Sequence, residues 1–599
     1  MRTLDRKFAN IVILSLFFNL AINFLSIADT QDYIRGRILL LKGNSVYFDV
    51  GEKDGVSAGN PFEIYYDQRN VANGQIIWTD KNISKSSPID SLTFIQLLSY
   101  DKMEAKIRLH SPQANRGGFV DIMLFSEPHL DPAEIITPDD LMLGRLIHRG
   151  LIGKDIEGRY VPDIAGDYEV RDLTYTFYIN PEAKFHSGKP IEAADVAYSL
   201  EQLALSKQLT PATNYILEIK GVQDFRYRTK TEISGIFIID KNTLSITLRR
   251  PFPAFEEYLC GPGAYIIPKP GPGYAGAASN GAGMYKIKWR NLNGIALEPF
   301  DGAGESAVLD SIRFIRYRDL EEASLSFELG RLDIIPLLGE PPLKFISSGN
   351  YTSLEQYTIN SAIIGINTLG LYGKDANFSK ALALILDRDA IIRVILGNSA
   401  TPPRSNISGY EGHIPTVAPV YDPDSADFYI KQMTLPNSPL YFYVDSNFPS
   451  LLRVARFIEG QLINKGLKIE EKLVDFRGLW QFAEQNKIDL YLTCFAPISS
   501  EPDCIVMPLY SKSLSGQTNY LNYDDYDFQS ALELFRSTND IITRDSLLYD
   551  ISARLGDQSP IVTLFHPNFI IYCKADINNL KIDKSGYLDL RKTYIESNK

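Results

Sequence analysis

Residues 440–493 contain the pattern that most constrains the fold, because strand-like and helix-like segments alternate within them. The segments are, in chain order, a strand (440–444), an amphipathic helix (450–465), a strand (467–474), a short helix (479–485) and a strand (488–493). Right-handed crossovers make such a β-α-β-α-β unit a parallel sheet, and ligands of open parallel sheets lie beyond the carboxyl ends of the strands. We therefore expect Asp445, Cys494, Phe495 and Ala496 at a ligand-binding edge.

The composition favours a large globular protein and gives no general support for nucleic-acid binding. Of 599 residues, 45% are apolar and 22% are charged, so the chain can bury large cores. The 61 basic and 73 acidic side chains give a net charge of −12, which repels phosphate and anionic lipid alike.

The first 28 residues predict export. A basic start precedes an apolar run over 8–28, which is typical of a signal peptide or of an uncleaved membrane anchor. Ser26 and Ala28 place small residues before Asp29 and favour cleavage. No cysteine lies nearby, so a lipid-modified cysteine is not available. The remaining chain is expected in the periplasm or another extracytoplasmic compartment.

Residues 30–111 predict a small β-domain, either a barrel or a sandwich. Turn signals separate strand-like runs at 36–41, 45–50, 61–66 and 92–98. A polar stretch at 112–118 then predicts a linker between this domain and the rest of the chain.

Signatures of catalysis and of cofactor binding are missing from the sequence. Residues 271–276 match the dinucleotide pattern G-x-G-x-x-G, but Pro272 removes an amide donor and no helix signal follows. The six histidines lack metal-ligand spacing, so we expect no metal and no cofactor. Cys494 and Cys504 either form a disulfide or remain buried thiols, and the sequence does not favour one over the other. The pattern indicates a binding protein and not an enzyme.

One long motif carries a resemblance to a known family. Residues 173–200 read LTYTFYINPEAKFHSGKPIEAADVAYSL and resemble the signature of the extracellular solute-binding proteins of the oligopeptide, dipeptide and nickel importers, family 5. Further family-like motifs lie upstream at 117–132 and 150–165 and downstream at 233–236, 240–244, 280–285, 330–333, 366–368, 386–389 and 557–561, all in family order. The resemblance covers residues 117 to about 570.

The resemblance implies an α/β fold of two lobes joined by a hinge. Lobe 1 would span 117–360, lobe 2 would span 365–560, and 561–599 would return to lobe 1. Hinge closure would capture a peptide or another bulky solute, and the closed form would deliver it to the permease of an ABC importer in the inner membrane. We expect the protein to act as a monomer.

The segment that reads the ligand's amine in peptide-binding members is altered here. Those members have W-x-A-D-Y-x-[DE]-P, and residues 495–502 of this chain read FAPISSEP. Ile498 stands where the aspartate would meet the α-ammonium, so ordinary peptide capture requires Glu501 or Asp503 to substitute. The expected ligand contacts are Ile136, Thr137, Cys494, Phe495, Ala496 and Ile498, and each of these residues is equally compatible with plain packing.

The alternative hypothesis is a non-transport envelope protein that reuses this fold as an interaction scaffold. The added β-domain would then dock partners. The added β-domain and the altered amine segment favour this alternative, whereas the two-lobed scaffold that the resemblance implies favours transport.

Overall fold

The structure is a computed structural model of the chain. It describes residues 33–42, 45–51, 53, 56, 60–66, 69–80, 82–86, 91–98, 100, 103–108, 117–124, 127–135, 137–154, 158–207, 209–271, 279–304, 307–341, 343, 351–404, 420–475, 478–479, 482, 487–514, 519, 521–582 and 588–596. The predicted export segment, Ile136 and most of the glycine-rich loop lie outside these residues. None of the described helices is long and apolar enough to cross a bilayer.

The chain divides into two compact units, Met1–Ala114 and Asn115–Lys599. The predicted linker at 112–118 spans this division. The finer boundaries of the linker and of the lobes stay predictions.

The first unit contains a closed antiparallel β-barrel with strand order β1-β2-β5-β4-β3-β6. Its elements are β1 (Tyr33–Lys42), β2 (Ser45–Phe48), β3 (Pro61–Tyr66), β4 (Arg69–Asp80), β5 (Ile83–Ser86), α1 (Ser91–Leu97) and β6 (Glu104–Arg108). Alternate strand residues point inward, as a half-buried sheet requires, and Val46, Phe48, Phe62 and Ile64 form much of the core.

The strand predicted at 92–98 is wrong, because this segment is the helix α1. A short apolar run fits either a strand or one face of a helix. The amide of Leu98 donates to the carbonyl oxygen of Phe94 at 3.2 Å, as in a helical turn. Leu97 is buried in the barrel core while Leu98 is exposed, so the helix buries one face only.

The second unit is a mixed α/β structure. Its strands are β7 (Phe119–Leu124), β8 (Ile152–Lys154), β9 (Tyr160–Pro162), β10 (Ala165–Arg171), β11 (Thr174–Ile179), β12 (Ile236–Asp240), β13 (Thr243–Thr247), β14 (Tyr285–Asn291), β15 (Gly294–Pro299), β16 (Ser311–Arg316), β17 (Ile334–Leu338), β18 (Tyr351–Tyr357), β19 (Ser361–Ile366), β20 (Ala400–Thr401), β21 (Leu440–Asp445), β22 (Ile469–Val474), β23 (Leu490–Phe495), β24 (Ile561–Lys574), β25 (Ile577–Asn578), β26 (Lys581–Ile582), β27 (Leu588–Asp589) and β28 (Tyr594–Ile595). Its helices are α2 (Pro138–Ile147), α3 (Ala193–Leu205), α4 (Val222–Arg226), α5 (Phe255–Leu259), α6 (Leu320–Glu328), α7 (Ala376–Ile385), α8 (Arg388–Ala390), α9 (Pro423–Lys431), α10 (Pro449–Asn464), α11 (Pro502–Tyr510), α12 (Tyr526–Ser537) and α13 (Ile541–Gln558).

One 12-stranded sheet runs through this unit in the order β14-β15-β16-β7-β17-β24-β19-β23-β21-β22, and β18 and β20 also pair with β24. The 14-residue strand β24 joins its two halves. Residues 568–574 of β24 pair with β17 and β18, and residues 561–565 pair with β19. We call the residues of this unit before β19 lobe 1, and those from β19 through α13 lobe 2. A separate sheet in lobe 1 has the order β10-β11-β13-β12.

The parallel sheet predicted from residues 440–493 is confirmed. Strand β21 pairs in parallel with both β22 and β23, and α10 connects β21 to β22. Helix α10 buries Leu451, Val454, Ala455, Ile458 and Leu462, which form the apolar face of the amphipathic helix predicted at 450–465. The short helix predicted at 479–485 lies largely outside the described residues.

Candidate ligand-binding cleft

A cavity opens between the lobes at the carboxyl ends of β21 and β23, where ligands of open parallel sheets bind. Its first compartment encloses about 550 Å³ of unfilled space, part of it open to solvent, and an adjacent second compartment encloses about 440 Å³. The two compartments share four wall residues, Thr137, Pro138, Asn447 and Phe448.

The walls of the cavity are mostly apolar and come from both lobes. The first compartment is lined by Ile135, Thr137, Pro138, Leu141, Pro211 and Ala212 of lobe 1 and by Asp445, Asn447, Phe448, Cys494, Phe495, Ala496 and Ile498 of lobe 2. The second compartment adds Asp139, Leu338, Glu340, Pro449 and Phe569.

Five of the six residues expected to contact a ligand line this first compartment. They are Thr137, Cys494, Phe495, Ala496 and Ile498. The sixth, Ile136, lies outside the described residues, between two that line the cavity. The fold thus brings Thr137 together with residues 494–498, which lie more than 350 positions later in the chain. The role of these residues in ligand binding stays a prediction.

Helix capping fixes the wall that lobe 1 contributes. The hydroxyl oxygen of Thr137 accepts from the amide of Asp140 at 3.1 Å, and the Asp140 carboxylate accepts from the amide of Thr137 at 3.0 Å. This capping box starts helix α2, with Pro138 at the first helical position. Thr137 therefore has one defined orientation at the cleft.

The wall from lobe 2 is set by the ends of β21 and β23. Cys494 and Phe495 end β23, and Ala496 and Ile498 follow in the loop before α11. Burial raises the pKa of the Cys494 thiol, so this group is neutral and apolar in character. Cys494 and Cys504 are both free thiols in the structure, so no disulfide joins them.

Asp445 is the buried carboxylate of the first compartment. One of its oxygens accepts from the amide of Asn447 at 3.0 Å, and the other accepts from the hydroxyl of Thr493 at 2.8 Å. Burial raises the pKa of Asp445 to about 6, against the opposing effect of these hydrogen bonds. No basic side chain forms a salt bridge with it among the residues that the structure describes.

A buried ionic cluster joins the lobes deeper in the seam. The guanidinium of Arg536, in lobe 2, donates to Glu218 of lobe 1 at 2.6 Å and to Asp503 at 2.7 Å. Arg249 and Arg250 also donate to Glu218. The charged side chains of Glu218, Asp503 and Arg536 are each about 1% exposed or less. Burial opposes ionisation of Glu218, but Arg536, Arg250 and Arg249 together lower its pKa to about 2.

The two acids proposed to replace the missing aspartate are already engaged by arginines. Asp503 binds Arg536, and Glu501 accepts from Arg544 at 2.5 Å. Neither acid lines either compartment. Ile498 packs against the opposite lobe, because a Cβ added at Gly261 would lie 3.2 Å from its Cδ1 atom.

Several lining residues escaped sequence reasoning. Leu141, Pro211, Ala212 and Phe448 carry no local signal that separates them from ordinary packing residues. Phe448 precedes Pro449 at the start of α10, just beyond the carboxyl end of β21, so its place on the edge could have been inferred from the topology. The described residues contain no group of histidine, cysteine and acidic side chains that could hold a metal ion.

Two lobes that share a sheet and enclose a cavity between them define a two-lobed periplasmic binding protein. The family model of the bacterial extracellular solute-binding proteins, family 5 (Middle), matches residues 159–517, and the chain belongs to this family. The resemblance expected from the sequence is thereby confirmed.

Curated relatives and solved structures agree with this assignment. The glutathione-binding protein GsiB of Pectobacterium atrosepticum is 23% identical over 456 residues, which cover 73% of this chain and 86% of the relative. The periplasmic binding protein AgaA from A. tumefacien R10, in complex with agropinic acid, has a TM-score of 0.70 at 22% identity and covers 80% of this chain and 99% of its own. DppA from Helicobacter pylori, in complex with the peptide STSA, has a TM-score of 0.69 at 19% identity, with coverages of 81% and 99%. At these identities the structural likeness establishes the fold.

Proposed function

We propose that this chain binds a peptide or another small solute in the cleft between its lobes and delivers it to the permease of an ABC importer. The observation that carries the proposal is the cavity itself, because side chains of both lobes line it at the carboxyl edge of the parallel sheet. The expected contacts are Thr137, Cys494, Phe495, Ala496 and Ile498 together with Ile136. The protein makes and breaks no bond in its ligand.

Capture would follow from contacts made by both lobes at once. A ligand that touches lobe 1 and lobe 2 together stabilises the closed arrangement and shifts the equilibrium away from open forms. The permease would then recognise the closed form. Residues 1–28 would export the chain and would be removed or retained as an anchor.

The names of the relatives suggest ligands to test. GsiB relatives are named for glutathione, and solved structures of the same fold hold peptides, agropinic acid and nickel with histidine. We therefore propose a thermal-shift screen of the full chain with peptide pools, N-acetylated peptides, glutathione and small organic acids. A receptor gains stability from a ligand by mass action, about 2.7 kcal/mol at 100 times the Kd.

A matched pair of phenylalanine variants locates any binding that the screen finds. Phe448→Ala removes a wall shared by both compartments and is expected to weaken binding about tenfold or more, whereas Phe428→Ala removes a side chain that is 62% exposed on α9 and should leave affinity unchanged. Failure of every pool to stabilise the chain would instead favour the scaffold hypothesis. Docking of a partner by the β-barrel stays a prediction.

A further inference from the structure

The ionisable groups on the walls of the cleft share one sign of charge. Among the described lining residues, the acids are Asp139, Glu340 and Asp445, and neither compartment has a lysine, arginine or histidine on its wall. The remaining walls are apolar or uncharged. A ligand that presents a carboxylate to these walls would therefore meet no positive charge there.

Asp445 differs from the other lining acids in having no positive charge beside it. Glu340 pairs with Arg453 at 2.6 Å and accepts from the amide of Ser450 at 2.6 Å. Asp139 lies in the first turn of α2, where the helix dipole favours a negative charge. The arginine and the helix dipole offset the negative charges of Glu340 and Asp139 in the second compartment. Asp445 is then the one acid on the described walls of the first compartment, and it has no positive charge beside it.

Among the described residues, the groups that act most strongly on Asp445 are uncharged or acidic. They are Asn447 on its own loop, Thr493 and Cys494 on β23, and Asp475 beyond β22. A carboxylate buried without a counter-charge is costly, and a cation brought within hydrogen-bond distance would offset that cost.

We propose that the ligand of this cleft carries an organic cation, such as a primary ammonium group, that binds at Asp445, and an apolar body that packs against Phe448 and Phe495. This inference rests on the proposed function and specifies the ligand class. The subsite is separate from residue 498, where the altered motif has an isoleucine. Anionic solutes that carry no cationic group are predicted to bind poorly.

The test uses three probes of similar size and different charge with the full chain. The probes are leucyl-phenylalanine amide (cationic), its N-acetyl derivative (neutral) and N-acetyl-leucyl-phenylalanine (anionic). We expect titration calorimetry at pH 7.5 to show binding of the cationic probe about tenfold or more tighter than the neutral one, with the anionic probe weakest.

Two isosteric variants then assign that preference to one carboxylate. Asp445→Asn should reduce the difference between cationic and neutral probes to less than threefold. Asp489→Asn is the matched control, because Asp489 is a buried acid directly before β23 that accepts from the amide of Tyr441 at 3.0 Å and does not line the cleft. The preference of this control variant for the cationic over the neutral probe should match that of the unmodified chain. Because protonation neutralises Asp445, the affinity for the cationic probe should also fall as the pH drops below about 6 in the unmodified chain and in Asp489→Asn, but not in Asp445→Asn.

The outcomes separate the two proposals. Equal binding of the three probes, tighter binding of the anionic probe, or a preference that survives Asp445→Asn overturns the cation subsite and leaves solute binding intact. No binding of any probe, together with no response in the wider screen, counts against the proposed function itself.

Discussion

Replacing Arg536 with methionine tests whether the buried ionic cluster holds the lobes together. The guanidinium lies between two carboxylates from different lobes, Glu218 and Asp503, and over the ring of Phe252, with 4.9 Å between the guanidinium carbon and the ring centroid. Methionine keeps part of the packing against the ring and removes the charge.

The magnitude follows from what each carboxylate retains. Glu218 keeps Arg249 and Arg250, so it stays compensated. Asp503 keeps only the hydroxyl of Tyr258, at 3.1 Å, among its hydrogen bonds in the described structure. One buried carboxylate therefore loses its counter-charge, which costs about 3–5 kcal/mol. The double variant Arg536→Met with Asp503→Asn removes that stranded charge and should recover at least half of the loss.

Urea unfolding of the full chain measures this loss of stability, which should appear in the unfolding transition of the second unit. Arg554→Met is the matched control, because this arginine of the adjacent helix α13 pairs with Asp527 at 3.4 Å while both side chains are about half exposed or more. Its loss should be below about 1 kcal/mol. A change at Arg536 no larger than that of the control, or no recovery in the double variant, would refute the view that this cluster clamps the lobes.

Three further predictions concern the cleft and the barrel. Burial raises the pKa of Asp445 to about 6, so the protonated carboxyl contributes full stability below pH 4, and this contribution is lost as the pH rises through 6. The free energy of unfolding should therefore fall by about 2–3 kcal/mol between pH 4 and 7 because of this group, and Asp445→Asn should remove that part of the pH dependence. Gly263→Ala should destabilise the chain by about 1–3 kcal/mol in chemical denaturation and weaken probe binding, because the new Cβ would lie 2.2 Å from the carbonyl oxygen of Ala212 on the cleft wall. The control Gly271→Ala should leave the free energy of unfolding unchanged, because its new Cβ would meet nothing within 4 Å. Phe48→Ala should cost the barrel about 3–5 kcal/mol and melt it first in calorimetry, while solute binding by the second unit persists.

The sequence predicts the parallel sheet well because its signal is local. Residues 440–493 alternate between two periodicities, and the handedness of crossovers then leaves one arrangement of the strands. The carboxyl edge follows from the same rule, which is why Asp445 and Cys494 were expected there. The prediction of a strand at 92–98 was wrong for the opposite reason, because a run of seven residues is too short for periodicity to distinguish a helix from a strand.

The lobe contacts across the cleft could not be predicted from local pattern. Arg536 stands on an amphipathic helix, where an arginine usually faces solvent. Its partners Glu218 and Asp503 lie 318 and 33 residues away in the chain, and only the tertiary fold brings them together. In the same way, nothing near Ala212 in sequence indicates that it lines a cavity with Phe495.

The distribution of cross-lobe contacts explains how a cavity persists between lobes that pack so closely. The Arg536 cluster ties the lobes deep in the seam, and Glu340 ties them again at the second compartment through Arg453. Tyr258 of lobe 1 and Met507 of lobe 2 also belong to one continuous apolar core. Between these ties the mostly apolar walls of the first compartment do not pack against each other, and the compartment is partly open to solvent beside the buried carboxylate of Asp445. The proposed cation and its apolar body would complete this arrangement.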